Sequence, residues 1–262
     1  VDEKAFRKAL EELPVGELRY YATTGSTNDL ALAWSTEGAR DLSVVFADYQ
    51  TTGRGRRGRK WHTPPGTALA VSVILRPSEA EREAFRSPHF SGLGALATCY
   101  ALERAGLNAQ IKWPNDVLVS RRKIAGILAE AVWTGEDVDS VVIGMGVNVL
   151  QAAVPPEEAT MFPATSVEAE GGSTDRPKLL HDLLAGLIAL RPKVGSADFA
   201  AAWDAALAFK GETVRVWRDE GQSLTGTLAG LEADGSLRLV LPDGSLQSVN
   251  LGEVHLRPEA QL

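Results

Sequence analysis

Apolar positions fall at helical spacing over residues 2–13, where Phe6, Leu10 and Leu13 share one side and Pro14 ends the run. Leu18 to Tyr21 then reads as a short strand. The polar stretch Thr23 to Asp29 opens a second helix, with Leu30, Ala33 and Trp34 as its apolar face. Ser26 or Thr27 supplies the capping oxygen and Asp29 reaches back to the helix start. The same start also offers unpaired N–H groups and hydroxyls to a polar ligand. Ser43–Tyr49 and Thr67–Leu75 are strand-like, Pro77–His89 is a polar surface excursion, and Phe90–Ala105 has the long period and small residues of a helix packed on a sheet. Gln110–Val119 makes two short strands around the turn Pro114-Asn115-Asp116, and Arg121-Arg122-Lys123 makes the next turn. Ile124–Trp133 and Val138–Val149 follow as strands with Gly135 between them. Strands joined by hairpins and interleaved with helices predict an α+β fold: a mixed or antiparallel sheet with helices on one face.

Residues 150–177 are rich in Pro, Ala and Glu and read as a loop with a short helix at Thr165-Ser166-Val167. Leu179–Leu190 and Ala197–Phe209 are amphipathic helices split by Pro192 and Gly195. At Gly211 the texture changes to short alternating runs, Val214–Trp217, Leu224–Leu231, Leu237–Leu241 and Leu246–Leu251, with Asp234-Gly235 and Asp243-Gly244 as hairpin turns. The chain therefore divides into residues 1–209 and a small SH3-like β barrel over residues 210–262. The barrel lacks an aromatic stripe suited to polyproline and reads as a lid on the larger part, with a peptide-binding adaptor as the other reading.

Composition narrows the class. The chain has 262 residues, 44% of them hydrophobic, enough for one large core and a small appended unit. No run of eighteen apolar residues occurs, the start Val1-Asp2-Glu3-Lys4 has no signal-peptide core, and the single cysteine, Cys99, suits a reducing cytoplasm. Four scattered histidines lack the spacing of a structural metal site. Against a net charge of -7, the stretch Gly53-Arg54-Gly55-Arg56-Arg57-Gly58-Arg59-Lys60-Trp61 is a local inversion, with five cations and three glycines in nine residues. Glycines let backbone N–H groups converge on an anion and arginine forks grip phosphate or carboxylate. A solvated loop, a nucleic-acid contact and a small phosphorylated ligand all satisfy that pattern, and it matches neither the P-loop nor the dinucleotide fingerprint. Such a segment is expected to be mobile when empty and to order on an anionic ligand. Gly144-Met145-Gly146-Val147-Asn148 inside a strand marks either a bulge or a close approach to the backbone.

Taken in order, Gly53 to Trp61, Lys112-Trp113-Pro114-Asn115-Asp116, Arg122 to Leu128, and Gly144-x-Gly146-x-Asn148, followed by a small β unit, resemble the biotin protein ligases over nearly the whole chain. The resemblance implies a catalytic unit like that of the class II synthetases. Its reaction joins biotin to ATP, giving biotinyl-5′-adenylate and pyrophosphate, then passes the biotinyl group to one lysine of a biotin carboxyl carrier domain. It implies that Ser26, Thr27, Asn28, Gln50, Gly53, Arg54, Gly55, Arg56, Lys123 and Gly126 bind biotin. It assigns Arg56, Arg57, Arg59, Trp61, Lys112, Asn115, Asn148 and Arg257 to ATP, with Glu253 near the nucleotide, and Asp116 to magnesium carried by ATP. Lys123, Arg54, Arg56 and Lys112 are the residues implied to act in catalysis, with Mg2+ accompanying ATP and no prosthetic group. A chain starting so close to the Ser-Thr-Asn stretch has no room for a DNA-binding domain, so no DNA partner is expected, and the implied assembly is a monomer or homodimer.

The chemistry accounts for these residue types. A carboxylate attacking an α-phosphate brings two anions together, and cations from Arg54, Arg56, Lys112 and Lys123 with magnesium offset their repulsion. No enzyme nucleophile is required. The rivals are a lipoate or octanoate ligase or transferase of the same architecture and, from another class, a nucleic-acid-binding protein using residues 53–61.

Overall fold

A computed structural model describes residues 3–84, 87–156, 160, 162–217, 223–250 and 255–258. Two sheets organise the chain. The larger has seven strands, β1 (Leu18–Tyr21), β2 (Ser43–Ala47), β3 (Ala68–Leu75), β4 (Ala109–Lys112), β5 (Asp116–Val119), β6 (Arg122–Thr134) and β7 (Asp137–Asn148), in the order β1-β2-β3-β7-β6-β5-β4. Only β1 and β2 run parallel; every other pairing is antiparallel, so the sheet is mixed. The central strand β3 is buried at all eight positions, which its unbroken run Ala-Leu-Ala-Val-Ser-Val-Ile-Leu allows.

The helices are α1 (Glu3–Leu10), α2 (Thr27–Thr36), α3 (Glu79–Ala84), α4 (Ser87–Arg104), α5 (Arg176–Leu190) and α6 (Ala197–Ala205). α1, α4 and α5 pack together over one face of the large sheet, where Leu93, Leu184, Val73 and Ile143 join the main core. α2 is the exception to a one-sided layering. Its Ala31 and Trp34 cover Val45, Ile74 and Val142, the alternate residues on the opposite face. Ala33 is exposed and Ala31 takes the buried position, so the apolar face of α2 is rotated from the expected one.

The smaller sheet has five antiparallel strands, β8 (Thr213–Trp217), β9 (Ser223–Leu231), β10 (Leu237–Val240), β11 (Leu246–Val249) and β12 (His255–Pro258), in the order β11-β10-β9-β8-β12. It is tied to the rest of the chain at named contacts. Arg121 donates to both carboxylate oxygens of Glu212 at 2.7 and 2.9 Å, and the Trp113 indole donates to the Gly235 carbonyl at 3.0 Å.

Several local expectations change. The excursion after Pro77 contains α3, and α4 begins at Ser87, three residues early. Thr165-Ser166-Val167 is not helical: the chain there pairs Ala164 with Lys123 and then turns. α5 starts at Arg176 because Asp175 caps it by accepting from the Lys178 amide, with Pro177 in the first turn. β12 carried no strand pattern of its own and exists through pairing with β8. No bulge interrupts β7 at its glycines, since Gly144 and Gly146 pair in register with both β3 and β6.

Candidate functional site

The α2 face of the large sheet carries its smallest side chains side by side: Ala70 and Ser72 on β3, Gly144 and Gly146 on β7, and Gly126 on β6. These make a trough ahead of the N-terminus of α2, whose later residues cover Ile74 and Val142 instead. A methyl group added at Gly144 would lie 2.0 Å from the Asn28 side-chain oxygen Oδ1, and one at Gly146 would lie 2.4 Å from the Trp61 ring. The glycines are needed because Asn28 and Trp61 pack directly on the strand.

Asn28 begins a continuous polar floor. Its amide donates to Glu130 at 2.8 Å and to the Leu128 carbonyl at 3.2 Å, and its oxygen accepts from Ser72 at 2.6 Å. Ser72 lies 2.9 Å from the Thr27 hydroxyl. The Thr27 amide donates to Gln50 at 2.8 Å, and Gln50 donates in turn to Thr63 at 3.1 Å. The expected capping arrangement is therefore absent: Ser26 occupies the N-cap without a side-chain bond, the Thr27 amide is taken by Gln50, and the Asp29 carboxylate pairs with Arg54.

The basic segment folds over this floor as a narrow flap. The Trp61 amide donates to the Gly53 carbonyl at 2.8 Å and the Gly55 amide to the Arg59 carbonyl at 2.7 Å, with one 3-10 turn over Arg56–Gly58 and Arg57 at φ 59°. Arg54 is bound by Asp29 and Glu130. Burial alone would weaken the Arg54 cation, but those carboxylates carry its pKa above the ordinary guanidinium value. Arg56 points inward, with its guanidinium 3.3 Å from the Asn115 oxygen. Burial and the neighbouring charge of Arg57 lower its pKa. Asn115 is itself fixed to β6, donating to the Ile127 carbonyl at 2.9 Å and accepting the Ile127 amide on its own carbonyl at 2.8 Å.

At the opposite wall stands a charged trio. Lys112 and Asp116 are directly opposed across the β4–β5 hairpin, and their side chains meet at 2.9 Å. Lys123, the second residue of β6 and not part of the expected turn, which ends at Arg121, reaches the other oxygen of Asp116 at 2.5 Å. Burial opposes the Asp116 charge, yet Lys112 and Lys123 outweigh it and hold the carboxyl well below the usual carboxylate range. Each lysine also faces a ring: Lys123 sits 5.5 Å from the centre of Trp61 and Lys112 5.1 Å from that of Phe162. The Trp61 indole N–H is buried with no acceptor among the described residues.

The cleft so formed brings together Ser26, Thr27, Asn28, Gln50, Arg54, Gly55, Arg56, Arg57, Arg59, Trp61, Lys112, Asn115, Asp116, Lys123 and Gly126. A second cavity lies beyond Trp61, lined by Gly53, Asn148, Pro155, Pro156 and Phe162 and sharing Trp61, Lys112, Asp116 and Lys123 with the first. Asn148 is buried there and donates to the Thr165 carbonyl at 3.0 Å. Arg257 pairs with Arg215 through its strand backbone, but its side chain lies outside what the structure describes, as does Glu253 altogether. Sequence reasoning passed over Ser72, Glu130 and Phe162. A lone hydroxyl in the apolar run of β3 and a lone carboxylate in Ile124–Val132 were the available signs of the first two.

Residues 20–148 match the biotin/lipoate A/B protein ligase family and residues 210–257 match the biotin protein ligase C terminal domain. The bifunctional ligase/repressor BirA of Bacillus subtilis is 34% identical over 70% of this chain, and the match spans only 57% of that relative's length. The biotin--[acetyl-CoA-carboxylase] ligase of Mycobacterium tuberculosis is 34% identical over 98% of this chain and 96% of its own. Among solved structures, the biotin protein ligase of Aquifex aeolicus in complex with biotin and ATP superposes with a TM-score of 0.78. It is 27% identical, over 93% of this chain and 99% of the other.

Proposed function

The chain belongs to the biotin protein ligase family, and from that premise we infer that it activates biotin with ATP and passes the biotinyl group to a lysine of a biotin carboxyl carrier domain. The observation that carries the reading is the shared wall. Lys112, Asp116 and Lys123 line both cavities, with Trp61 between them, so two anionic ligands bound on either side would meet at two cations. Biotin fits the first cleft, where Ser26, Thr27, Asn28 and Gln50 offer a polar end to its ring system. The nucleotide fits the second cavity, against Trp61 and Asn148, with Arg59 also on its wall.

In the first step a biotin carboxylate oxygen bonds to the α-phosphorus and the bond to the β-phosphate oxygen breaks, releasing pyrophosphate. Lys123 and Lys112 stabilise the charge on the transferring group, and Arg54 and Arg56 close over it from the flap. In the second step the carrier amine attacks the acyl carbon and AMP leaves, with Lys123 placed to stabilise charge on the acyl oxygen. Asp116, held ionised by two ammonium groups, is a poor base for that amine. Its role is to fix the two lysines.

Magnesium would enter on the triphosphate and neutralise part of its charge. Both Asp116 oxygens are engaged by lysines, and the described residues contain no cluster of three or more His, Cys, Asp or Glu that could hold a metal. The described residues thus do not build a resident metal site. The presence of two separate sheets supports dividing the chain into a catalytic part, 1–209, and a supporting β unit, 210–262. Use of ATP suits a cytoplasmic setting, and no described helix is long and apolar enough to cross a membrane.

A polynucleotide-binding role for residues 53–61 is disfavoured because Arg54 is already held by Asp29 and Glu130 and Arg56 reaches inward to Asn115. The test is ATP–pyrophosphate exchange dependent on biotin, run beside lipoate. Exchange with biotin alone supports the reading. Exchange with lipoate alone, or with neither, refutes it.

A further inference from the structure

We propose that Glu130 is a positioning residue for biotin, because one carboxylate ties the flap to the floor of the cleft. Its two oxygens serve different elements: Oε1 accepts from Arg54 Nη2 at 2.6 Å and Oε2 accepts from Asn28 Nδ2 at 2.8 Å. Arg54 stands at the neck of the flap, beside the Gly53–Trp61 backbone bond, and Asp29 on the first turn of α2 grips its other nitrogen. Asn28 is the first member of the polar floor. Glu130 sets which way its amide faces: with Nδ2 held by the carboxylate, Oδ1 is left to accept from Ser72. Glu130 lies on β6 away from Lys112 and Lys123, and of the residues placed around the transferring group it contacts Arg54 at the neck of the flap. It acts through Arg54 and Asn28.

Glutamine at this position keeps the volume but has one accepting oxygen in place of two. If that oxygen faces Arg54, the new NH2 meets the donating NH2 of Asn28; if it faces Asn28, the NH2 meets the guanidinium. Either way one tie is lost and two donors are opposed. The flap neck and the floor therefore loosen together, while Lys112 and Lys123 stay held by Asp116.

This inference rests on the cleft being the biotin site, so the experiment has one arm that does not depend on it. In the full chain, Glu130→Gln is expected to raise the KM for biotin in pyrophosphate exchange about tenfold, the loss of one charge-assisted hydrogen bond, with kcat held within about threefold. In the ligand-free protein, trypsin is expected to cut within residues 53–61 about tenfold faster in Glu130→Gln than in wild type, since the tethered neck opens more often. Asp29→Asn, on the exposed start of α2, is expected to speed cleavage without a comparable rise in KM, because it leaves Asn28 held. It also serves should Glu130→Gln fold poorly. An unchanged cleavage rate in both variants overturns the anchor, and a fall in kcat at constant KM overturns the positioning role. If wild type shows no biotin-dependent exchange, the biotin reading fails and with it the positioning role, whereas the cleavage arm still decides whether Glu130 anchors the flap.

Discussion

Replacing Asp116 with asparagine removes a negative charge at nearly constant volume and leaves Lys112 and Lys123 facing a neutral group. Both lysine contacts are close and little exposed: the Asp116 side chain is 13% accessible, Lys112 10% and Lys123 26%. Breaking a buried pair from one side costs about 3–5 kcal/mol. Lys123 recovers some hydration at its exposed end, and each ammonium keeps its aromatic face. The expected cost therefore falls to about 2–3 kcal/mol. For a chain of this size that lowers Tm by about 4–10 °C.

The pH dependence has a definite sign. The folded carboxyl titrates below its unfolded value, so its contribution is complete above the ordinary carboxylate range and is lost as pH falls through the folded value. The gap between wild type and Asp116→Asn in urea unfolding should be full at neutral pH and should narrow below about pH 4. Inorganic pyrophosphate, an anion able to replace the lost charge, should raise Tm more in the variant than in wild type. Equal midpoints at neutral pH, or a gap that does not narrow in acid, would refute the account of the trio.

Other perturbations separate the parts of the site. Lys123→Ala should abolish adenylate formation while the far-UV spectrum and cooperative melting persist; formation at the wild-type rate would remove Lys123 from its role. Arg56→Gly should release more free adenylate and increase labelling of lysines on an unrelated protein, measured by chromatography and by avidin blot, because the flap loses the side chain that reaches Asn115. Gly144→Ala drives a methyl into the Asn28 amide, which three hydrogen bonds hold in place, so a destabilisation of about 1–3 kcal/mol is expected together with a raised KM for biotin. A fully stable Gly144→Ala with normal KM would mean that the floor yields easily.

Much of the fold was legible because the strands carry their own periodicity. β3, β6 and β7 have apolar runs bounded by Gly135 and by polar turns, and Asp234-Gly235 and Asp243-Gly244 mark hairpins. What failed was local and has physical causes. Ala31 and Ala33 are equally small, so composition alone does not fix the rotation of α2; packing on Val45 and Ile74 does. β12 ends in a proline and gains its strand only from β8. In the site, the cations and glycines were visible as residue types, and nearly all of them converge on one cleft. Their pairing was not visible. Lys112 meets Asp116 through hairpin register, Lys123 arrives from the start of the neighbouring strand β6, and Glu130 meets Arg54 across 76 residues of chain. Such contacts belong to the tertiary structure, and one-dimensional spacing does not contain them.

The central claim is that the two cavities hold two acids whose junction lies at Lys112 and Lys123. Its most direct test is rapid-quench measurement of pyrophosphate from the purified chain with ATP and magnesium, using biotin and then biotin amide, whose carboxylate is blocked. A stoichiometric burst with biotin and none with the amide is the predicted result. No burst with biotin, or the same burst with both, would contradict the claim.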